Sequence, residues 1–403
     1  MVRTLFMAFL IMTLTSCIPQ QNATPNNGPF EPYNQTIINN QPFSDLTTGH
    51  NHQSGAIQHN APVPSHHAIN GKVALLLPLS GQHSEIGQSI LKAAQLALFD
   101  INDPSFELIP LDTKGTAQGA SQAVIEAANK NVGVIMGPLL ANAVQSAGKT
   151  AARYGLQVIG FTTDWNKIGQ NIFTMGILPF DQGVRLAQYA ARTNKKNVVI
   201  IDPKTNYSQA VINAFEQTAL PNGINIVKKL PIHDPRTIAT TLANNRDMID
   251  GLIMPFGNPQ ISLVARALLD RGLSPTTIPW MGVGLWDTPD IINNPLFTGA
   301  IYAAPTPDMR QNFQRQYKSI YGDTPQRLAS LGYDATALSA VLLKQSNANV
   351  HKSTIQNPSG FAGIDGIFRF KSNGMVERGL SIHRINGSRQ ATIVSPAPQS
   401  FMN

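Results

Sequence analysis

One run, Lys72-Val-Ala-Leu-Leu-Leu-Pro-Leu-Ser80-Gly81, constrains the fold of this 403-residue chain more than any other. Seven of the eight residues from Val73 to Ser80 are apolar or proline. Such a run suits a strand buried on both faces of a parallel sheet. The chain then turns at Ser80-Gly81. Ser84 or Ser89 is positioned to cap a helix whose Ile90, Leu91, Ala94, Leu98 and Ile101 recur at helical spacing. A polar, glycine-containing loop therefore follows the carboxyl end of a parallel strand, where open α/β sheets bind ligands.

The β-α alternation continues. Strands are expected over 106–112, 132–136 and 157–161, with helices over about 116–129 and 142–154 between them. It restarts with 172–176, a helix over 181–192 and the buried strand Asn197-Val-Val-Ile-Ile-Asp202, then strands over 225–230, 251–256 and 280–283. This predicts an α/β protein of two Rossmann-like, doubly wound parallel-sheet lobes joined by a hinge, with a cleft between them as the default binding site. Beyond 299 come a strand-like run, helices over 308–321 and 328–345, and a hairpin formed by 363–370 and 379–385 around Ser372-Asn373-Gly374. The chain is thus expected to cross between lobes more than once. Lobe 1 takes 71–178 and about 305–362, lobe 2 takes 179–304 and about 363–395, and 396–403 form a flexible tail.

Catalytic constellations are missing. No Gly-rich phosphate loop with Lys-Ser/Thr is present, and Gly282-Val-Gly284 lacks the third glycine of a dinucleotide site. His83, His233, His351 and His383 stand apart, without His-Glu-x-x-His or Gly-x-Ser-x-Gly. The expectation is a noncatalytic protein with no cofactor and no metal. A net charge of +7 without a dense basic run gives no footprint for nucleic acid. The cleft loops supply hydrogen bonds instead. Backbone amides at Ser80, Gly81, Leu140 and Ala141 suit an anionic or carboxylate-bearing group. Thr162, Thr163 and Tyr207 add hydroxyls, and Trp286 offers a stacking face, with core packing its preferred reading.

At the amino end, Arg3 precedes an apolar run from Leu5 to Leu14, too short to span a bilayer and suited to a signal-peptide core. It ends in Leu14-Thr15-Ser16-Cys17, which resembles the bacterial lipobox; Cys17 is the only cysteine. Residues 1–17 are therefore read as a lipoprotein signal ending in a lipidated Cys17, and Ile18 after it implies sorting to the inner leaflet of the outer membrane. Residues 18–70 are rich in Asn, Gln, Pro and His, with only Glu31 and Asp45 charged, and read as a disordered tether. Its His50, His52, His59, His66 and His67 are scattered, without preorganised metal geometry.

From about Lys72 to Ile385 the chain resembles the type I periplasmic-binding fold of the leucine/isoleucine/valine-binding proteins. The resemblance is carried by KVALLLPLSG with Gly87, GVIMGPLLANAV, QVIGFTT and LASLGYDATALSA, in which Gly332-Tyr333-Asp334-Ala335 opens a helix. It implies two lobes, three crossover segments and closure on a ligand. In amino-acid-binding members a serine grips the ligand carboxylate where this chain has Ala141, and a carboxylate meets the ammonium where it has Gly284. Thr162 or Thr163 and Tyr207 keep their counterparts. With a lipobox and a polar tether, the chain looks more like the penicillin-binding protein activators, outer-membrane lipoproteins that stimulate a peptidoglycan synthase. Gly282, Leu285-Trp286, Phe313, Tyr317 and Tyr321-Gly322 share in that likeness. Activators carry a helical-repeat domain before this fold, which residues 18–70 are too polar to form. The resemblance therefore implies a membrane-anchored, periplasmic regulator of peptidoglycan synthesis, with a peptidoglycan synthase as partner. The alternative is a receptor that passes an amino acid or related small molecule to a transporter permease.

Overall fold

A computed structural model describes residues 71–401. The signal-like run with Cys17 and the polar segment with its five histidines lie outside the described residues. The first sheet is wholly parallel. Its elements are β1 (Gly71–Leu77), α1 (Ser84–Ile101), β2 (Phe106–Asp112), α2 (Ala117–Asn129), β3 (Val134–Met136), α3 (Ala141–Ala151), β4 (Val158–Gly160) and β5 (Ile172–Thr174). The strand order is β2-β1-β3-β4-β5, with Val73 opposite Val134 and Ile135 opposite Val158.

Because successive side chains leave a strand on opposite faces, β1 feeds two cores. Val73, Leu75 and Leu77 enter one with Ile90 of α1, while Ala74 and Leu76 enter the other with Val124 of α2 and Ala147 of α3. An all-apolar strand is the sequence signature of that double burial. Neither serine caps α1: His83 occupies the cap position without a side-chain bond, and Ser89 is buried beside the Tyr317 hydroxyl at 3.2 Å.

The second lobe contains α4 (Phe180–Arg192), β6 (Asn197–Asp202), α5 (Asn206–Ala219), β7 (Asn225–Pro231), α6 (Pro235–Ala243), β8 (Gly251–Met254), α7 (Gln260–Leu269), β9 (Trp280–Gly282), α8 (Pro289–Ile292) and β10 (Ile301–Ala304). The chain then returns to lobe 1 with α9 (Pro307–Tyr321), α10 (Ser330–Gln345), α11 (Lys352–Ile355), β11 (Phe368–Phe370) and β12 (Val376–Arg378), and ends in lobe 2 with β13 (Ser381–Asn386) and β14 (Gln390–Ser395). The second sheet runs β14-β13-β10-β9-β8-β6-β7, with β13 and β14 antiparallel. Again the two faces part: Val198 and Ile200 pack with Phe215 of α5, Val199 and Ile201 with Trp280 and Trp286.

The carboxyl-terminal hairpin differs from expectation. β11 pairs with β12, Phe370 opposite Val376, and β13 instead lines up against β10, Ile301 opposite Arg384. Thr174 bridges to Met375, and Phe368, Phe370 and Val376 enter the first core. Residues 363–378 thus pack in lobe 1, and the chain crosses back at 379–380 rather than near 363. The buried aromatic pair decides this, since Phe370 meets Phe173 edge-on at 5.7 Å. Three crossings, 175–179, 305–306 and 379–380, join the lobes.

Candidate ligand-binding cleft

A cavity of about 670 Å³ lies where the two lobes meet the three crossings. Each crossing contributes to it: Leu178 and Pro179 from the first, Pro305 from the second, Leu380 from the third. Lobe 1 adds the segment after β4 with Thr163 and Trp165, and Arg327 just ahead of α10. Lobe 2 adds Tyr207, Gly284, Leu285 and Asp287. The volume falls in the range of small-molecule sites, and the wall is largely apolar.

The lobe 2 wall is set by a network built upward from Asp202 at the end of β6. Asp202 accepts hydrogen bonds from Ser208 Oγ at 2.9 Å and Gln209 Nε2 at 2.6 Å, and Thr205 and Ser208 bond reciprocally to start α5. That fixed start places Tyr207. Its hydroxyl donates to Gln182 Oε1 at 3.0 Å, and the Gly284 amide donates to the same oxygen at 2.7 Å. Gln182 Nε2 in turn donates to Leu178 O at 3.2 Å. Burial pushes the Tyr207 phenol up to about 12, so it stays neutral, with its proton committed to Gln182.

Charge is concentrated near the crossings. Asp287 accepts from Tyr302 Oη at 3.1 Å and pairs with Arg310 Nη1 at 3.3 Å. Arg310 also grips Asp365 in lobe 1, through Nε at 2.9 Å and through Nη2, so one guanidinium ties the lobes together. Asp365 has no accessible surface; burial opposes its charge, but Arg310, Arg327, Arg378 and the Ser330 hydroxyl hold its carboxyl down at about 2. Burial instead pushes Asp181 up to about 7, only partly offset by the Arg378 amide, which donates to its Oδ2 at 2.9 Å. The Arg378 guanidinium lies over the Phe368 ring at 5.2 Å and donates from Nη2 to Met175 O at 2.7 Å, stapling the third crossing to the first. Its Nε and Nη1 have no partner.

Of the residues expected from sequence, the cavity gathers Thr163 and Tyr207. Ser80 and Gly81 are exposed outside it, and the Ser80 hydroxyl donates to Asp112 Oδ2 at 2.6 Å. Leu140 and Ala141 stand at the start of α3, also outside the lining. Thr162 is buried, its Oγ1 accepting from the Asp164 amide at 3.0 Å. Trp286 is fully buried in the lobe 2 core, donates from Nε1 to Phe256 O at 2.7 Å and packs against Phe297. Sequence reasoning missed Asp181, Gln182, Arg327 and Arg378. The helix start after Pro179 was a usable signal for the first two, whereas Arg378 reaches the site only through the ribbon β11–β12.

No curated protein sequence matches the chain. Among solved structures, it resembles a putative branched-chain amino acid ABC transporter protein from Rhodospirillum rubrum, at 18% identity over 80% of this chain and 99% of that one, with a TM-score of 0.72. The carboxyl-terminal domain of LpoA from Haemophilus influenzae, described as a regulator of PBP1A, matches at 18% identity over 80% of this chain and 99% of that domain, TM-score 0.63. The leucine-binding protein LivK from Thermotoga maritima matches at 20% identity over 81% and 98%, TM-score 0.52. At these identities the likenesses establish the fold. The family model described as periplasmic binding protein matches residues 71–390, and with two crossing-linked parallel-sheet lobes the chain belongs to the periplasmic binding protein family, in its type I fold, which implies a periplasmic location.

Proposed function

We propose that the chain is a noncatalytic lipoprotein, anchored through Cys17 to the inner leaflet of the outer membrane, whose two-lobed domain regulates peptidoglycan synthesis through contact with a peptidoglycan synthase. One observation carries the choice over an amino-acid receptor: two of the positions that clamp an amino acid in such receptors lack the clamping group here, although Thr163 and Tyr207 keep theirs. Ala141 and Gly284 offer no hydroxyl and no carboxylate, the Gly284 amide is bonded to Gln182, and Ser80 is turned to Asp112. Asp287, the next acid along, is held by Arg310 and Tyr302. At Gly284 an ammonium lacks the carboxylate that meets it in such receptors, and leaving it unpaired would cost several kcal/mol. The similarity to the LpoA domain supports the same reading.

The test is glycan polymerisation by the peptidoglycan synthases of the host, titrated with the intact chain. Saturable stimulation is expected with at least one synthase. No stimulation of any of them would remove the regulatory role. A second reading, a receptor for a different small solute, is favoured by the cavity, which is large enough to enclose one.

A further inference from the structure

The segment that leaves β14 reads Ser395-Pro396-Ala397-Pro398-Gln399-Ser400-Phe401. Each proline fixes its own φ near about −65° and disfavours the helical region for the residue before it, here Ser395 and Ala397. Such a stretch is stiff and extended before any tertiary contact holds it. From Ser395 to Phe401 it reaches at most about 20 Å.

Its two ends are anchored on different lobes. At the start, Arg185 of α4 in lobe 2 is buried and donates from Nη2 to Ser395 Oγ at 2.6 Å and to Pro396 O at 2.9 Å. The same guanidinium holds Leu380 O of the third crossing through Nε at 2.7 Å. Midway, Pro398 lies on that crossing, since a Cβ built on Gly379 would stand 3.2 Å from Pro398 Cγ. The far end rests on lobe 1. There the Arg369 guanidinium of β11 lies over the Phe401 ring at 4.7 Å, a favourable pairing of cation and aromatic face. A Cβ on Gly360 would stand 2.9 Å from Phe401 Cδ2, so the glycine leaves the space that the ring takes. Arg369 is itself held, donating from Nε to Glu377 Oε2 at 2.8 Å and from Nη1 to Pro358 O at 3.3 Å. Phe401 is half-buried, whereas Pro396, Pro398 and Gln399 are exposed. The segment is thus pinned at its ends and open to solvent between them.

We propose that residues 396–401 are a strap that fastens lobe 2 to lobe 1 over the third crossing and holds the lobes at a fixed angle, with Phe401 as the fastener. Hinges turn on a few backbone angles in the segments between lobes. A short, stiff span pinned on both sides of the hinge resists that turning. The strap acts on the lobe angle whatever the cleft contains and whichever partner the domain meets, so its failure would leave the synthase reading standing.

The experiment measures a lobe-to-lobe distance with paired spin labels in the full chain. Cys17→Ser removes the only cysteine. Lys149→Cys on α3 of lobe 1 and Arg266→Cys on α7 of lobe 2 then place the labels at exposed helix positions. Phe401→Ala, and separately a chain ended after Ala397, are each expected to shift the distance by more than about 2 Å, the scale of a domain rearrangement. Phe401→Tyr keeps the ring and is expected to keep the parent distance. An unchanged distance in the shortened chain would overturn the strap, and an unchanged distance in Phe401→Ala would overturn Phe401 as its fastener. Should the shortened chain fail to fold, Phe401→Ala decides alone, and an unchanged distance there overturns the proposal.

Discussion

Asp365 is sealed from solvent yet stays ionised because Arg310, Arg327 and Ser330 converge on it. Removing one partner of a buried ion leaves a charge the interior cannot solvate. Arg310→Met is therefore expected to lower unfolding free energy by about 2–3 kcal/mol, less than for an isolated buried pair because Arg327 and Ser330 remain. Urea unfolding measures it, and a loss below about 1 kcal/mol would show that the network is compensated elsewhere. Asp181 acts in the opposite sense. Its pKa rises on folding, so its contribution to stability is fully present below the unfolded value near 3.8 and is lost as pH climbs through about 7. Asp181→Asn keeps an oxygen for the Arg378 amide, and the variant is expected to be more stable than the parent at about pH 8 and to lose that advantage by about pH 4. A constant difference across that range would assign the effect to packing. At this scale the sequence was partly legible: Thr163 and Tyr207 follow strand ends that apolar runs reveal. Arg378 was not, because it lies 197 residues from Asp181 and only the packed ribbon brings them together.

Helices meet closely where glycine removes the side chain. A Cβ built on Gly332 of α10 would stand 2.1 Å from Ile90 O of α1, and one on Gly183 of α4 would stand 2.2 Å from Val211 O of α5. The obstacle in each case is backbone, which cannot swing aside. Gly332→Ala is expected to destabilise by about 1–3 kcal/mol through forced separation of α1 and α10, despite alanine's better helix propensity. A melting temperature equal to the parent's would mean the helices slide apart freely. The elements themselves were mostly readable, since β1, β6 and β8 are apolar runs and α9 and α10 carry helical spacing. β14 was not, and of the ribbon only the strand ending at Phe370 and the turn at 372–374 were readable, with 379–385 expected as the partner in place of Val376–Arg378. β14 is half-exposed along its length, so Gln390–Ser395 carries no apolar run, and the partner of Phe368–Phe370 is a three-residue strand too short to announce itself.

At the scale of the molecule, the charged groups are arranged along the crossings. Arg378 binds Met175 O across two of them, and Arg185 of α4 binds Leu380 O at 2.7 Å and Ser395 Oγ at 2.6 Å, fixing the third to lobe 2. Arg310 links Asp287 of lobe 2 to Asp365 of lobe 1. The family fold is retained, and our proposal takes the loss of two amino-acid clamps, at Ala141 and Gly284, to outweigh the retained Thr163 and Tyr207. Thermal unfolding of the intact chain with millimolar leucine, isoleucine and valine tests that claim most directly. The melting temperature is expected to stay where it is with each of them. A rise of about 2 °C or more, the scale of stabilisation by a ligand well above its Kd, would contradict the account and make the protein an amino-acid receptor.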